Sequence, residues 1–175
     1  MNISAGTVTA PPPVVFEMML GVAKQHIIWG GNYFADLLPP SMRWLVWDKG
    51  QRINQSDGEL AWTSMQQALR ILTMNRVELL KDGTNHPTQK PVALMLWCLS
   101  QIDLDALSIC DPFMGSGTTG VACVQRGKHF TGIEREVKYF DMTCWRIDAA
   151  VREKKIHGET DDMFKFEKPK QESFL

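Results

Sequence analysis

Apolar residues fall along this chain in short blocks that predict alternating helices and strands. Phe16, Met19, Leu20 and Ala23 recur at helical spacing, which predicts an amphipathic helix from Val14 to Lys24. Ile27 to Trp29 reads as a short buried strand ended by Gly30-Gly31, and Trp44 to Trp47 as another. Gly50 to Gly58 is polar and loop-like. Ser64 to Lys81 carries apolar residues at Met65, Leu69, Leu72, Val77, Leu79 and Leu80 without a period that names an element. The run Val92 to Leu99 is helix-like, with Pro91 fitting its first turn. Leu107 to Cys110 reads as a buried strand, Val121 to Val124 as the start of a helix, and His129 to Ile133 as a second strand. From Val137 to about Lys155 one stripe carries Val137, Phe140, Cys144, Ile147 and Val151, which predicts a helix. Met1 to Pro13 is small, polar and proline-rich, and is expected to be flexible. After His157-Gly158 the chain is charged and is expected to be disordered to Leu175.

The most informative stretch joins the Leu107–Cys110 strand to the helix beyond it: Asp111-Pro112-Phe113-Met114-Gly115-Ser116-Gly117-Thr118-Thr119-Gly120. A glycine-rich turn between strand and helix lets a ligand touch the backbone, because no side chain stands in the way. Glu134 closes the next strand, where an acid can accept hydrogen bonds from ribose hydroxyls. The pattern suggests the nucleoside-binding half of a doubly wound α/β domain. Gly115-x-Gly117-x-x-Gly120 also satisfies the dinucleotide fingerprint, and a tight connection with no ligand is a further possibility. Asp111-Pro112 argues against a dinucleotide: an acid at the strand end sits poorly beside a pyrophosphate but suits a cationic amino or sulfonium group.

Upstream stands His86-Pro87-Thr88-Gln89-Lys90-Pro91. With these two motifs in this order, the chain resembles the amino-methyltransferases of DNA in their beta arrangement. There a His-Pro-Thr-x-Lys-Pro segment directly precedes an Asp-Pro-Phe-x-Gly-x-Gly-Thr-Thr segment. A nucleotide-dependent oxidoreductase would leave the His86–Pro91 motif without a role. The likeness covers about residues 14 to 155 and extends to Thr131–Glu136 with Tyr139-Phe140, to Gln25–Phe34, to Arg43–Lys49 and to the short strand Glu59–Thr63. The tryptophan-rich wording is similar to phage and prophage members of the family.

The resemblance implies a Rossmann-like fold: a doubly wound, mostly parallel sheet with helices on both faces, here shortened at its N-terminus. It implies a methyl transfer from S-adenosylmethionine to the exocyclic amine of adenine, or of cytosine, in double-stranded DNA. The cofactor would lie against His86, Thr88, Lys90, Asp111, Phe113, Gly115, Gly117, Thr118, Thr119 and Glu134. Asp111 and the backbone from Phe113 to Gly117 would hold its methionine part. Thr88, Lys90 and the start of the helix at Thr118-Thr119 would meet its carboxylate, and Glu134 its ribose. The domain would run from 14 to 156, with 14–64 a remnant of the catalytic half, 65–85 a short recognition segment and 86–156 the cofactor half. So short a recognition segment implies minimal base reading, or a partner that shares it or supplies a missing segment.

The family's catalytic tetrapeptide, Asp/Asn/Ser-Pro-Pro-Tyr/Phe/Trp, does not occur in these 175 residues. Ala10-Pro11-Pro12-Pro13 and Leu38-Pro39-Pro40-Ser41 have the prolines but neither the acceptor nor the ring. Asn32 and Asp48, polar groups at strand ends, are weak substitutes. The chain is therefore expected to be impaired in transfer; the alternative is a non-catalytic shortened copy that keeps a cofactor or DNA site.

Composition changes this picture little. An apolar content of 44% over 175 residues suffices for a core. A net charge of -1 gives no global pull toward nucleic acid, so DNA contact would fall to local basic residues: Arg43, Lys49, Arg52, Arg70, Arg76 and Lys81. Cys98, Cys110, Cys123 and Cys144 lack metal or disulfide spacing and read as reduced core residues. No metal site, signal peptide or membrane span is indicated, and a cytoplasmic protein is expected.

Overall fold

The computed structural model describes residues 11–50, 56–75, 89–103 and 105–156. His86, Thr88, Arg52, Arg76, Lys81 and both terminal segments beyond residues 11 and 156 lie outside the described residues. The chain divides into two compact units, residues 1–78 and 79–175.

In the first unit, helix α1 (Pro13–Val22) begins on prolines, whose missing N–H costs nothing in a first turn. Strand β1 (Ile27–Trp29) leads into a 3-10 turn at Gly31–Tyr33, followed by β2 (Trp44–Asp48), β3 (Gly58–Thr63) and β4 (Arg70–Thr73). The sheet order is β1-β3-β2-β4. β3 runs antiparallel to both β1 and β2, while β2 and β4 are parallel. The mostly parallel sheet expected from the sequence is therefore not what this unit has. The short link from Asp48 to Gly58 reverses the chain, and a link that short joins strands as a hairpin.

Phe16, Leu38 and Trp62 form the buried centre, with Met19, Leu20, Ile28, Phe34, Leu37 and Trp44 packed around them. The Phe16 and Phe34 rings lie 5.3 Å apart, tilted. Buried indoles need acceptors. Trp62 Nε1 donates to the Pro39 carbonyl at 2.8 Å and Trp47 Nε1 to that of Met74 at 2.9 Å. Pattern analysis missed β4, which lies inside the stretch assigned to recognition. Arg70, Ile71 and Thr73 on it are exposed, so neither face shows the alternation of a half-buried strand.

The second unit holds α2 (Val92–Leu99), β5 (Ser108–Asp111), α3 (Thr118–Arg126), β6 (His129–Gly132) and α4 (Val137–Ile156). β5 and β6 pair in parallel from Ser108 opposite His129 to Asp111 opposite Gly132. The strand before the glycine-rich turn and the strand ending near Glu134 are thus neighbours in one sheet, as the motif predicts. Val121, Val124, Ile147 and Ala150 make the core, with Val92, Phe130 and Val151 against it. On one face of the pair Ser108, Cys110, His129 and Thr131 are exposed. Cys110 is therefore not a core residue, because strand alternation puts it on that face; Cys98 and Cys123 are buried and Cys144 half-buried. Val137, expected on the packed stripe of α4, is exposed as well. Among the described residues no helix is long and apolar enough to cross a membrane, and no cluster of three metal-ligating side chains occurs.

Candidate functional site

The turn from β5 to α3 is tied together by hydrogen bonds from side chain and backbone. Asp111 ends β5, and each oxygen of its carboxylate accepts a bond. Oδ1 takes the Phe113 N–H at 3.0 Å and Oδ2 takes the Thr119 hydroxyl at 2.7 Å. The strand's end is thereby tied to the helix's first turn. Gly115 and Gly117 follow at φ +50° and +72°, the left-handed region that glycine enters without strain. Gly117 also has no room for a side chain, since a Cβ there would overlap the Thr143 methyl.

β6 supports the same turn. The Met114 N–H donates to the Ile133 carbonyl at 3.0 Å, and the Ile133 N–H to that of Asp111 at 2.9 Å. Glu134, just past β6, accepts from the Gly115 N–H at 3.1 Å through one oxygen and from the Glu136 N–H at 2.9 Å through the other. The predicted ribose acid and the glycine loop are therefore in direct contact. Each carboxylate oxygen keeps a further lone pair.

α3 starts at Thr118 with Gly117 at the cap position and no side chain capping its amides. The first-turn N–H groups have no helical carbonyl to bond and carry the positive end of the helix dipole. The hydroxyls of Thr118 and Thr119 are turned inward. Thr118 is buried, with its Oγ1 3.2 Å from Ser116 Oγ, and Thr119 is bound to Asp111. An anion at this end would meet the amides. Phe113 is 59% exposed and does not pack in the core. Lys90 is half-buried directly ahead of Pro91, which takes the cap position of α2, one place before the first turn assigned to it from the sequence.

In the first unit the two catalytic substitutes stand apart in the fold. Asn32 is exposed in the 3-10 turn after β1, not on a strand as the sequence suggested. Asp48 ends β2, where Oδ1 caps the Gly50 N–H at 2.9 Å and Oδ2 accepts from the Thr73 hydroxyl at 3.2 Å. Of the basic residues, Arg43 is 4% exposed and Lys49 6%. Burial, and secondarily the charge of Arg70, pulls the Arg43 pKa below its usual value. Lys49 pairs with Glu59 at 3.0 Å and lies 5.2 Å over the Trp47 ring. Arg70 is exposed.

Within the turn Met114 is buried, and two contributors lie outside the motifs, Thr143 and Arg146 of α4. Thr143 Oγ1 donates to the Gly115 carbonyl at 2.5 Å, and Arg146 donates to the Ser116 carbonyl. Their i, i+3 spacing on one helix face was the available signal, but nothing in it names the loop 28 to 30 residues away.

The chain is similar to several known proteins. The family model described as DNA methylase matches residues 31–144. The DNA adenine methyltransferase YhdJ of Escherichia coli (strain K12) is 35% identical over 92 residues, which is 53% of this chain and 30% of that protein. The type II methyltransferase M2.DpnII of Streptococcus pneumoniae is 41% identical over 69 residues, 39% of this chain and 26% of that protein. The chain's match thus spans less than a third of the length of either relative. Among solved structures, the M1.HpyAVI–SAM complex superposes with a TM-score of 0.55 at 28% identity, covering 71% of this chain and 74% of that one.

Proposed function

Because the chain belongs to the DNA methylase family, whose model matches residues 31–144, we propose that the β5–α3 turn is its S-adenosylmethionine site. The observation that carries the proposal is the hydrogen bond from the Gly115 N–H to Glu134, which holds a carboxylate able to accept from ribose hydroxyls beside the glycine-rich turn. The residues fit a zwitterionic nucleoside. Uncapped amides at Thr118 and Thr119 suit a carboxylate, and Asp111 and Glu134 supply the negative groups that a sulfonium, an amine and ribose hydroxyls would seek. Phe113 offers an exposed ring to the cofactor. Thr88 and Lys90 would complete the carboxylate's charge-assisted contacts, next to His86.

Bound there, the cofactor supplies an electrophilic methyl group. The acceptor is the exocyclic amine of adenine, ahead of cytosine, in double-stranded DNA; the choice of adenine is supported by the name of YhdJ, a DNA adenine methyltransferase. Among the candidate DNA contacts that are described, Arg70 is the exposed one and would meet phosphate, with Arg52 and Arg76 as further contacts. The chain acts in the cytoplasm. Its own residues bind and orient the cofactor, and most of the rate in such a transfer comes from positioning. The group that would accept hydrogen bonds from the target amine and stack on the flipped base has no equivalent in these 175 residues. The chain alone therefore transfers little methyl, and it is active when a segment carrying Asp-Pro-Pro-Tyr is supplied. The second reading, a cofactor-binding protein without catalysis, is favoured by the same missing tetrapeptide.

The test is tritiated methyl incorporation into unmethylated duplex DNA. This chain would be run in parallel with a form extended at its N-terminus by a strand and Asp-Pro-Pro-Tyr. Incorporation by the extended form alone is expected, and digestion of the product separates methyladenine from methylcytosine. Strong incorporation by the 175-residue chain would make Asn32 or Asp48 the acceptor. Incorporation by neither, with cofactor binding intact, would favour the non-catalytic reading.

A further inference from the structure

Two side chains of α4 hold the glycine-rich turn from behind. Thr143 is fully buried, and its hydroxyl donates to the Gly115 carbonyl at 2.5 Å. One turn further on, the Arg146 guanidinium donates to the next carbonyl, that of Ser116, and its Nη1 lies 3.5 Å from Thr118 Oγ1. Two consecutive carbonyls of the turn are thus drawn toward one helix.

That has a consequence for the N–H groups. All described peptide bonds are trans. In a trans peptide the C=O and N–H point in opposite directions. Pulling the Gly115 carbonyl toward α4 turns the Ser116 N–H away from it, and pulling the Ser116 carbonyl does the same to the Gly117 N–H. The Gly117 N–H closes the turn on the Met114 carbonyl at 2.7 Å. Carbonyl oxygens facing an anionic ligand would repel it, whereas N–H groups attract it. The Thr143 methyl also lies where a Gly117 side chain would be, so the helix fixes the height of the loop as well as the tilt of its peptides.

We propose that Thr143 and Arg146 are positioning residues for the cofactor: they hold the Gly115 and Ser116 carbonyls back so that the Ser116 amide, beside the first amides of α3, meets the carboxylate of its methionine part. The proposal rests on the assignment of the β5–α3 turn as the cofactor site. It adds a second layer, on a helix that carries none of the recognisable motif residues.

The experiment uses the full chain with four single substitutions. Thr143→Val keeps the methyl shape and loses the donor; Thr143→Ser keeps the donor and loses the methyl. Arg146→Met keeps length and loses charge and donors; Arg146→Lys keeps both. S-adenosylmethionine affinity is measured by calorimetry, thermal midpoints by circular dichroism without ligand, and the Ser116 amide resonance by nitrogen-proton NMR without ligand. Thr143→Val and Arg146→Met should each weaken binding by about tenfold, the scale of one lost hydrogen bond to a backbone carbonyl. Thr143→Ser and Arg146→Lys should recover most of it, even though Thr143→Ser melts at a lower temperature. The Ser116 amide should shift in Thr143→Val and stay near its wild-type position in Thr143→Ser. Affinity that simply follows the melting temperature, or an unmoved Ser116 amide, would overturn the positioning role. Binding by the wild type that Thr143→Val matches would overturn this proposal alone. A wild type that binds no S-adenosylmethionine would overturn the cofactor assignment and this proposal with it.

Discussion

Gly117→Ala tests the geometry of the turn most directly, because its cost has two separable parts. Gly117 has φ +72°, and an L-residue in the left-handed region costs roughly 1–2 kcal/mol. The new methyl would also overlap the Thr143 side chain, whose Cβ and Oγ1 both lie 3.1 Å from the position it would take. Thr143 is fully buried and bonded to the Gly115 carbonyl, so it cannot swing aside. Overpacking of this kind costs about 1–3 kcal/mol. The sum, about 2–5 kcal/mol, corresponds to a fall in melting temperature of roughly 4–20 °C at about 2–4 °C per kcal/mol for a chain of this size. Gly115→Ala isolates the first part. Its φ is +50°, and the nearest atom to an added Cβ is the Phe113 carbonyl oxygen at 3.9 Å, so only backbone strain is added. The assay is thermal unfolding by circular dichroism of wild type, Gly115→Ala, Gly117→Ala and the pair Gly117→Ala with Thr143→Ser. Gly117→Ala should lose more than Gly115→Ala, and the Thr143→Ser background should return part of the difference. Equal losses at the two glycines, with no relief from Thr143→Ser, would refute the packing of α4 against the turn.

Asp111→Ala removes the acceptor for both the Phe113 N–H and the Thr119 hydroxyl, and calorimetry should show S-adenosylmethionine binding abolished; unchanged binding would put the site elsewhere. Glu134→Ala should weaken binding and release the Gly115 amide, visible as faster hydrogen exchange at Gly115 in the ligand-free chain. Burial, then the charge of Asp111, pushes the Cys123 thiol up to about 12 against the opposing charge of Lys128. A pKa raised in the folded state gives stability that is whole below the unfolded value near 9 and is lost as pH climbs toward 12. Thermal midpoints should therefore fall more steeply above pH 9 for wild type than for Cys123→Ala, and iodoacetamide at pH 8 should label exposed Cys110 while sparing Cys123.

Helix and strand positions with a strong local signal were legible. Val92–Leu99 was read with the bounds it has, and the strand–turn–helix around Asp111 followed from its glycines and its flanking apolar runs. β4 was not legible because Arg70–Thr73 is exposed on both sides and carries no alternation. The reversal of β3 was hidden for another reason: residue type alone does not fix strand direction, which follows from the length of the connection before it. Arg43 and Lys49 look from sequence like surface cations, yet neighbouring Trp44 and Trp47 carry them into a buried sheet. At the candidate site the motif named the residues that belong to the turn itself. It did not name Thr143 and Arg146, whose contribution depends on contacts across 28 and 30 residues of chain.

The exposed residues of the β5–β6 pair bear on how this chain behaves in the tube. Parallel strands are ordinarily covered on both sides, and here Ser108, Cys110, His129 and Thr131 face water, with Leu107 and Ile133 exposed at the ends. A net charge of -1 and an isoelectric point near 6.4 provide little mutual repulsion. Solubility should therefore pass through a minimum slightly below neutral pH. Burial, then the charge of Asp111, pushes the exposed Cys110 thiol up, so its air oxidation should be slow near neutral pH and quicken as pH rises; a buffer above pH 7.5 with a reducing agent should keep the isolated chain dispersed.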